Sequence, residues 1–226
     1  MIARAKPYAA TIFMVLAIFP SQAMWAQDTQ DSANPDTVPI DQCELHVWPS
    51  NGLRSVYHGW FHGGIVDGAV KGRDGYKELP ADPVSTDTQV AVLSNAALPQ
   101  MLKLPDYKLI VHDEALDSVK IKNTPGSMIT SRTSCYAELI ADDVFYQEDI
   151  INGSYLKTLF RYKQFSQGDN PTRTFGTWTK IKLKSFPPKT VEGNDTALQE
   201  IRNAFAANID QFANFLNPPP KKKKSK

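Results

Sequence analysis

Apolar and polar positions alternate most cleanly between residues 135 and 183. Cys135, Ala137, Leu139 and Ala141 fall on one side of an extended segment, and Tyr136, Glu138, Ile140 and Asp142 on the other. That period of two predicts a β-strand over Cys135–Tyr146. Two more strands follow at Leu156–Phe165 and Phe175–Leu183, with turn residues Asn152-Gly153 and Gly168-Asp169-Asn170-Pro171 between them; the three form an antiparallel meander. In the last strand Phe175, Thr177, Thr179, Ile181 and Leu183 share the core side, while Trp178, Lys180, Lys182 and Lys184 share the other. Lys157, Arg161 and Lys163 form the polar side of the middle strand, within reach of Glu138 and Asp142. This basic stripe is expected to be a solvated sheet face or a lysine-protected edge.

The pattern before the meander changes twice. Cys43, Leu45 and Val47 alternate with polar residues until Pro49-Ser50-Asn51-Gly52, which predicts a first strand with an inward cysteine. Glycines at 59, 63, 64, 68, 72 and 75 then interrupt every period from Leu53 to Pro83, so this stretch reads as a long loop, with room for a short hairpin. Val90, Val92, Leu93, Ala96, Ala97, Met101 and Leu104 suit a helix over 88–104, capped by Asp87 and kinked or divided at Pro99. Tyr107–His112 is a second short strand. Strand, helix, strand predicts a crossover unit with two parallel strands. At the far end Leu198, Ile201, Phe205, Ile209, Phe212 and Leu216 recur every three or four residues, a helix with a wide apolar stripe. Thr196 and Gln199 have the spacing of a capping box at its start. The expected class is therefore α+β: a mixed or mainly antiparallel sheet covered by helices, the last of them C-terminal.

Outside this domain the chain changes character. Arg4 and Lys6 precede an apolar run from Ala9 to Phe19 and the small residues Ser21-Gln22-Ala23, the plan of a secretory signal peptide over residues 1–23, with 26 as another cleavage point. The run is shorter than the ~20 residues a spanning helix needs, so no transmembrane anchor is expected. Residues 24–39 are polar and Pro-containing and read as a disordered leader. The single domain is placed at 40–217, and 218–226 is a Pro/Lys-rich tail. An exported, periplasmic or secreted bacterial protein follows. In an oxidising compartment Cys43 and Cys135, the chain's two cysteines, read as a disulfide.

Charge adds one asymmetry. Setting aside Arg4, Lys6 and the five tail lysines leaves 18 of the 25 basic residues against 24 acidic ones. Pro218-Pro219-Pro220 favours an extended spacer that projects Lys221, Lys222, Lys223 and Lys224 from an acidic domain. An envelope protein, or an anionic envelope polymer or lipid surface, would suit them. A nucleic-acid partner conflicts with the export signal.

Candidate chemistry is sparse. His58 and His62 stand four apart around Trp60 and Phe61, but Gly59 and Gly63-Gly64 oppose the helix that would make them a metal pair, and no His-Glu-x-x-His motif is present. His112-Asp113-Glu114 reads as a strand end followed by solvated acids. Asp142-Asp143 and Glu148-Asp149 are assigned to the surface. No serine lies in a nucleophile motif. No cofactor is expected. The glycine-rich loop, with His58, Trp60, Phe61 and His62, and the basic tail are the candidate binding elements.

Three segments carry a resemblance: Leu104-Pro105-Asp106-Tyr107-Lys108-Leu109-Ile110-Val111, Tyr136-Ala137-Glu138-Leu139-Ile140-Ala141-Asp142, and Ala204-Phe205 to Phe215-Leu216. In order and apolar pattern the chain resembles small envelope accessory domains, those of the curli-secretion and penicillin-binding-protein activator lipoproteins and the auxiliary lipoproteins of envelope transporters. The lipobox cysteine of those families is missing, and no functional residue carries over. The resemblance implies a non-enzymatic envelope accessory or binding protein. The competing reading is a secreted hydrolase or metal-dependent enzyme using His58, His62 or His112.

Overall fold

The computed structural model describes residues 42–58, 66–67, 82–130, 133–149, 152–166, 168–188 and 190–219. It is an α+β fold built on one mixed sheet. The strands are β1 (Glu44–Trp48), β2 (Leu53–His58), β3 (Val66–Asp67), β4 (Lys108–Val111), β5 (Tyr136–Asp149), β6 (Gly153–Phe165) and β7 (Arg173–Leu183). The helices are α1 (Thr86–Asn95), α2 (Leu98–Met101), α3 (Ser118–Asn123) and α4 (Asn194–Leu216).

β5 organises the sheet. β6 pairs antiparallel along its whole length, and β7 pairs antiparallel with β6, which completes the predicted meander. β1 and β2 share the other edge of β5 end to end, both parallel to it, β1 against Tyr136–Ile140 and β2 against Val144–Asp149. β4 runs parallel to β1, as the strand-helix-strand order predicts. The break between β1 and β2 is Pro49-Ser50-Asn51-Gly52. Gly52 has φ 94°, and a Cβ there would collide with Asp82 Oδ2, whose carboxylate accepts from Leu53 N at 2.8 Å and Val84 N at 2.9 Å. Buried Gln89 of α1 locks the same turn, accepting from Ser50 N at 2.9 Å and donating to Ser50 Oγ at 2.9 Å.

Alternation on β5 is reset by a β-bulge. Ala137, Leu139 and Ala141 face the core before it and Val144 and Tyr146 after it, because Asp142 is an extra residue between the pairs Ala141–Phe160 and Asp143–Leu159. Asp142 is therefore free to turn toward Arg161.

The main core lies between this inner face and helices α1, α2 and α4. Ile201, Phe205, Ile209, Phe212 and Leu216 of α4 are buried there, with Phe212 ringed by Phe160 at 5.1 Å and Phe175 at 5.7 Å. Burying each such ring contributes about 1.5–3 kcal/mol. Asn208 is the polar exception, donating to Leu156 O at 3.2 Å. Side chains of α4 also occupy the outer edge of β7: Gln211 accepts from Lys180 N, and Glu200 from Lys184 N and Ser185 N. That edge is closed to another strand. The disulfide Cys43–Cys135 joins the residues preceding β1 and β5 across 92 positions; closing so long a loop stabilises the fold by about 4–5 kcal/mol on the chain-entropy account.

Three local expectations are corrected and one, the break at Pro99, is borne out. The stretch read as a loop from Leu53 contains strand β2, with β3 antiparallel to it at Val56–Asp67 and Tyr57–Val66; pairing with β5, not local pattern, makes it a strand. The cap of α1 is Ser85, whose Oγ accepts from Thr88 N, rather than Asp87, which lies inside the first turn. Pro99 does divide the predicted helix: α1 ends at Asn95 and Pro99 sits in the first turn of α2, where its missing N–H costs nothing. Helix α4 begins at Asn194 after Gly193, with no side-chain cap, and Gln199 donates to Asn203 Oδ1 instead of closing a box.

Candidate functional site

The outer face of the sheet carries the chemistry, and its N-terminal half is covered. Helix α3, capped by Asp117 through bonds from Val119 N and Lys120 N, lies over it with the segment that follows. Ile121 meets Trp48 and Ile140 in a second, small apolar cluster, with Leu116, Met128 and Ile129 packed around it. Beneath this cover lie the outward residues Glu44, His46 and Trp48 of β1, Glu138 and Asp142 of β5, and Arg161 and Lys163 of β6.

His46 is 7 % exposed and sits between two partners. Its Nε2 is 3.1 Å from Glu44 Oε2 and its Nδ1 is 3.1 Å from Nε2 of His112. His112 follows β4 and stacks on Trp48, with ring centres 4.2 Å apart and planes within 2°. A carboxylate can only accept, so His46 donates from Nε2 and its Nδ1 is left to accept the proton on His112 Nε2. The remaining ring nitrogen, His112 Nδ1, is then the lone-pair end of the line. Burial, followed by the neighbouring His46, pushes the His112 pKa below its ordinary value, against a smaller opposite effect of Asp113. The arrangement is a carboxylate–imidazole–imidazole line that can hand a proton from His112 toward Glu44.

Beside it, Glu138 is fully buried. Its Oε1 accepts from Ser127 Oγ at 2.9 Å and Met128 N at 2.7 Å, while Oε2 has no hydrogen-bond partner among the described residues. Burial raises its pKa despite these bonds and the Lys163 charge. Lys163, paired with Glu138 in register, donates to Thr124 O and Gly126 O, both at 2.7 Å. Asp142 accepts from Arg161 Nε at 2.6 Å and Ser118 Oγ at 2.8 Å.

These positions revise the sequence reading. Asp142 is buried, not a surface acid, because the bulge turns it under α3; Asp143 does reach the outer surface and pairs with Arg54. The basic stripe is solvated only in part: Arg161 and Lys163 are committed beneath the cover, while Lys180, Lys182 and Lys184 are exposed. His112 is a half-buried member of an imidazole line, although Asp113 and Glu114 are exposed as expected. His46 was missed, since its alternation with Leu45 and Val47 reads as a solvent-facing position. The signal was present: parallel pairing of β1 with β4 sets His112, the residue after β4, level with Trp48 and puts both imidazoles on one face.

The disulfide residues are joined as predicted. His58 is the last residue of β2, opposite Asp149 in the register, so it belongs to a strand and not a loop. Trp60, Phe61, His62 and Lys221–Lys224 lie outside the described residues. Among the described residues no group of three His, Cys, Asp or Glu side chains has the geometry of a metal site, and no helix is long and apolar enough to cross a membrane.

A separate feature opens on the helical side. Between α1 and α4 runs a groove of about 610 Å³, floored by Ala91, Val92, Ala206 and Ile209, with Arg202 and Asp210 at its rim. Alanine at 91 and 206 leaves the space between the two helices unfilled.

No family model matches the sequence, and no curated protein matches it well enough to count as a relative. Among solved structures, a Xanthomonas campestris protein of the DUF330 family is similar at 12% identity and TM-score 0.39, covering 80% of this chain and 85% of its own. An uncharacterized protein is similar at 11% identity and TM-score 0.34, covering 79% and 95%. Likenesses of this strength transfer no residue and no activity.

Proposed function

We propose that this is an exported binding protein of the bacterial envelope that serves as a non-enzymatic accessory to a partner. The observation that supports it is the α1–α4 groove, an open apolar channel with one cation and one anion at its rim, suited to a protein segment. The disulfide agrees with an oxidising compartment, and the strand, helix, meander, terminal-helix order agrees with the envelope accessory domains that the sequence resembles. The loop residues Trp60 and Phe61 and the basic tail are further contact elements in this reading.

The test is a crosslinking pulldown from intact cells with the full chain, with a chain lacking Pro218 to Lys226, and with Ala206→Arg, which fills the groove. A defined envelope partner captured by the full chain and lost with Ala206→Arg supports the reading; capture of nothing by any form overturns it. One observation favours a second reading. The Glu44–His46–His112 line is an acid–base device, and an enzyme using it would lose turnover on substitution of His112, whereas a binding protein would keep its partner.

A further inference from the structure

The half of the outer sheet face beyond α3 is cationic and aromatic. Its side chains are Tyr155, Lys157 and Leu159 on β6 and Trp178, Lys180 and Lys182 on β7, with Phe145 of β5 alongside. Lys157 stands directly opposite Lys180, and Tyr155 opposite Lys182. Like charges placed directly opposite on adjacent strands destabilise a sheet. Among the described residues none of these three lysines has an ion-pair partner, and Asp143 of β5 is engaged by Arg54.

The lysines meet rings instead. Lys180 Nζ lies 3.7 Å from the Tyr155 ring centre, and Lys157 Nζ lies 5.4 Å from that of Phe145 and 5.8 Å from that of Trp178. A ring fixes an ammonium in place without neutralising it. Burial and the neighbouring Lys180 push the Lys157 pKa down, so an anion touching both lysines relieves an existing repulsion.

We propose that this face binds a linear polyanion, an acidic glycan whose carboxylates lie along β7 and whose sugar rings rest on Trp178. Side-chain alternation sets Trp178, Lys180 and Lys182 in one line at intervals of about 7 Å. Trp178 is 41% exposed and packed edge-on against Phe145, with ring centres 5.1 Å apart, so it offers a fixed face for stacking and does not project as a membrane anchor would. This proposal rests on the exported binding reading and adds a ligand class and a site to it.

The test is calorimetric titration of the full chain with galacturonate oligomers, with neutral galactan oligomers and vesicles of phosphatidylglycerol and phosphatidylcholine in equal parts as comparisons. Wild type binds the acidic oligomer and not the neutral one. Lys157→Gln with Lys180→Gln weakens binding about tenfold or more, and Trp178→Ala about tenfold. Lys182→Gln, at an exposed position, gives a smaller loss and guards against a folding artefact. In the free protein Lys157→Gln raises the melting midpoint. Unchanged affinity in the lysine double variant, no binding by wild type, or binding to vesicles alone overturns the proposal. Because the pulldown reads protein capture through the α1–α4 groove, failure there leaves this titration standing, and failure here leaves the groove untouched.

Discussion

The two faces of β5 are both buried in its first half, yet they are made of opposite materials. Toward α4 it presents Ala137, Leu139, Ala141, Val144 and Tyr146 to a continuous apolar core; toward α3 it sets Glu138 and Asp142, among Arg161, Lys163 and a pair of imidazoles, beside the small apolar cluster of Ile140. Apolar burial is favourable by its area alone and tolerates imperfect geometry. A buried charge gains only what its partners return, and Glu138 keeps one oxygen unpartnered. The inner face thus supplies the stability, and the outer face holds groups whose presence stability does not explain. That contrast makes the outer face a second place to look for function, beside the α1–α4 groove.

The comparison breaks most visibly on the inner face. Phe205→Ala removes a fully buried ring under the sheet and should lower unfolding free energy by about 3–5 kcal/mol, read from urea denaturation. Asp142→Ala, on the outer face, removes the acceptor of Arg161 and Ser118; Arg161 retains some solvent access, so a loss of about 1.5–3 kcal/mol is expected in the same assay. A loss matching that of Phe205→Ala would mean that the ion pair is a structural equal of the core.

His112→Phe sharpens the contrast through pH. It keeps a ring on Trp48 but removes the bond to His46, which costs about 0.5–1.5 kcal/mol near pH 7.5. The wild-type imidazole has its folded pKa below the ordinary 6.5, so the unfolded chain binds the proton first as pH falls. Its contribution is complete above about pH 6.5 and is lost on descending toward the folded value. The gap between wild type and His112→Phe should therefore narrow below pH 6.5; a gap constant from pH 5 to 8 would remove the imidazole line from the account.

The same contrast shows which parts of the molecule were readable beforehand. The meander, the parallel β1–β4 pair and the apolar stripe of α4 follow from periodicity, because one face of each is mainly apolar. Strand β2 was hidden because its pairing with β5 is long-range and its downstream glycines erase the pattern. Helix α3 is six residues long, too short for a period, and its cover turns a face that alternates like a solvated one into a buried one. The bulge at Asp142 moves one carboxylate from a presumed surface row into an ion pair, and nothing local in Ala141-Asp142-Asp143 marks it. His46 and Glu138 were legible as polar positions of their strands, but neither as neighbours nor as buried groups.

The most direct measurement is urea unfolding of wild type and Glu138→Gln at pH 5 and pH 7.5. Glutamine keeps the acceptor for Ser127 and Met128 N and removes the desolvated charge. Burial holds the Glu138 pKa above its ordinary 4.5, so the unfolded chain releases its proton first as pH rises; the wild type's advantage is complete below about pH 4.5 and lost as pH climbs through the folded value. Glu138→Gln is expected to gain on wild type between pH 5 and pH 7.5 and to be at least as stable at the higher pH. A variant weaker by about 2 kcal/mol or more at both values would show that the carboxylate is a net stabilising partner of Lys163, and that the outer face is simply a second core.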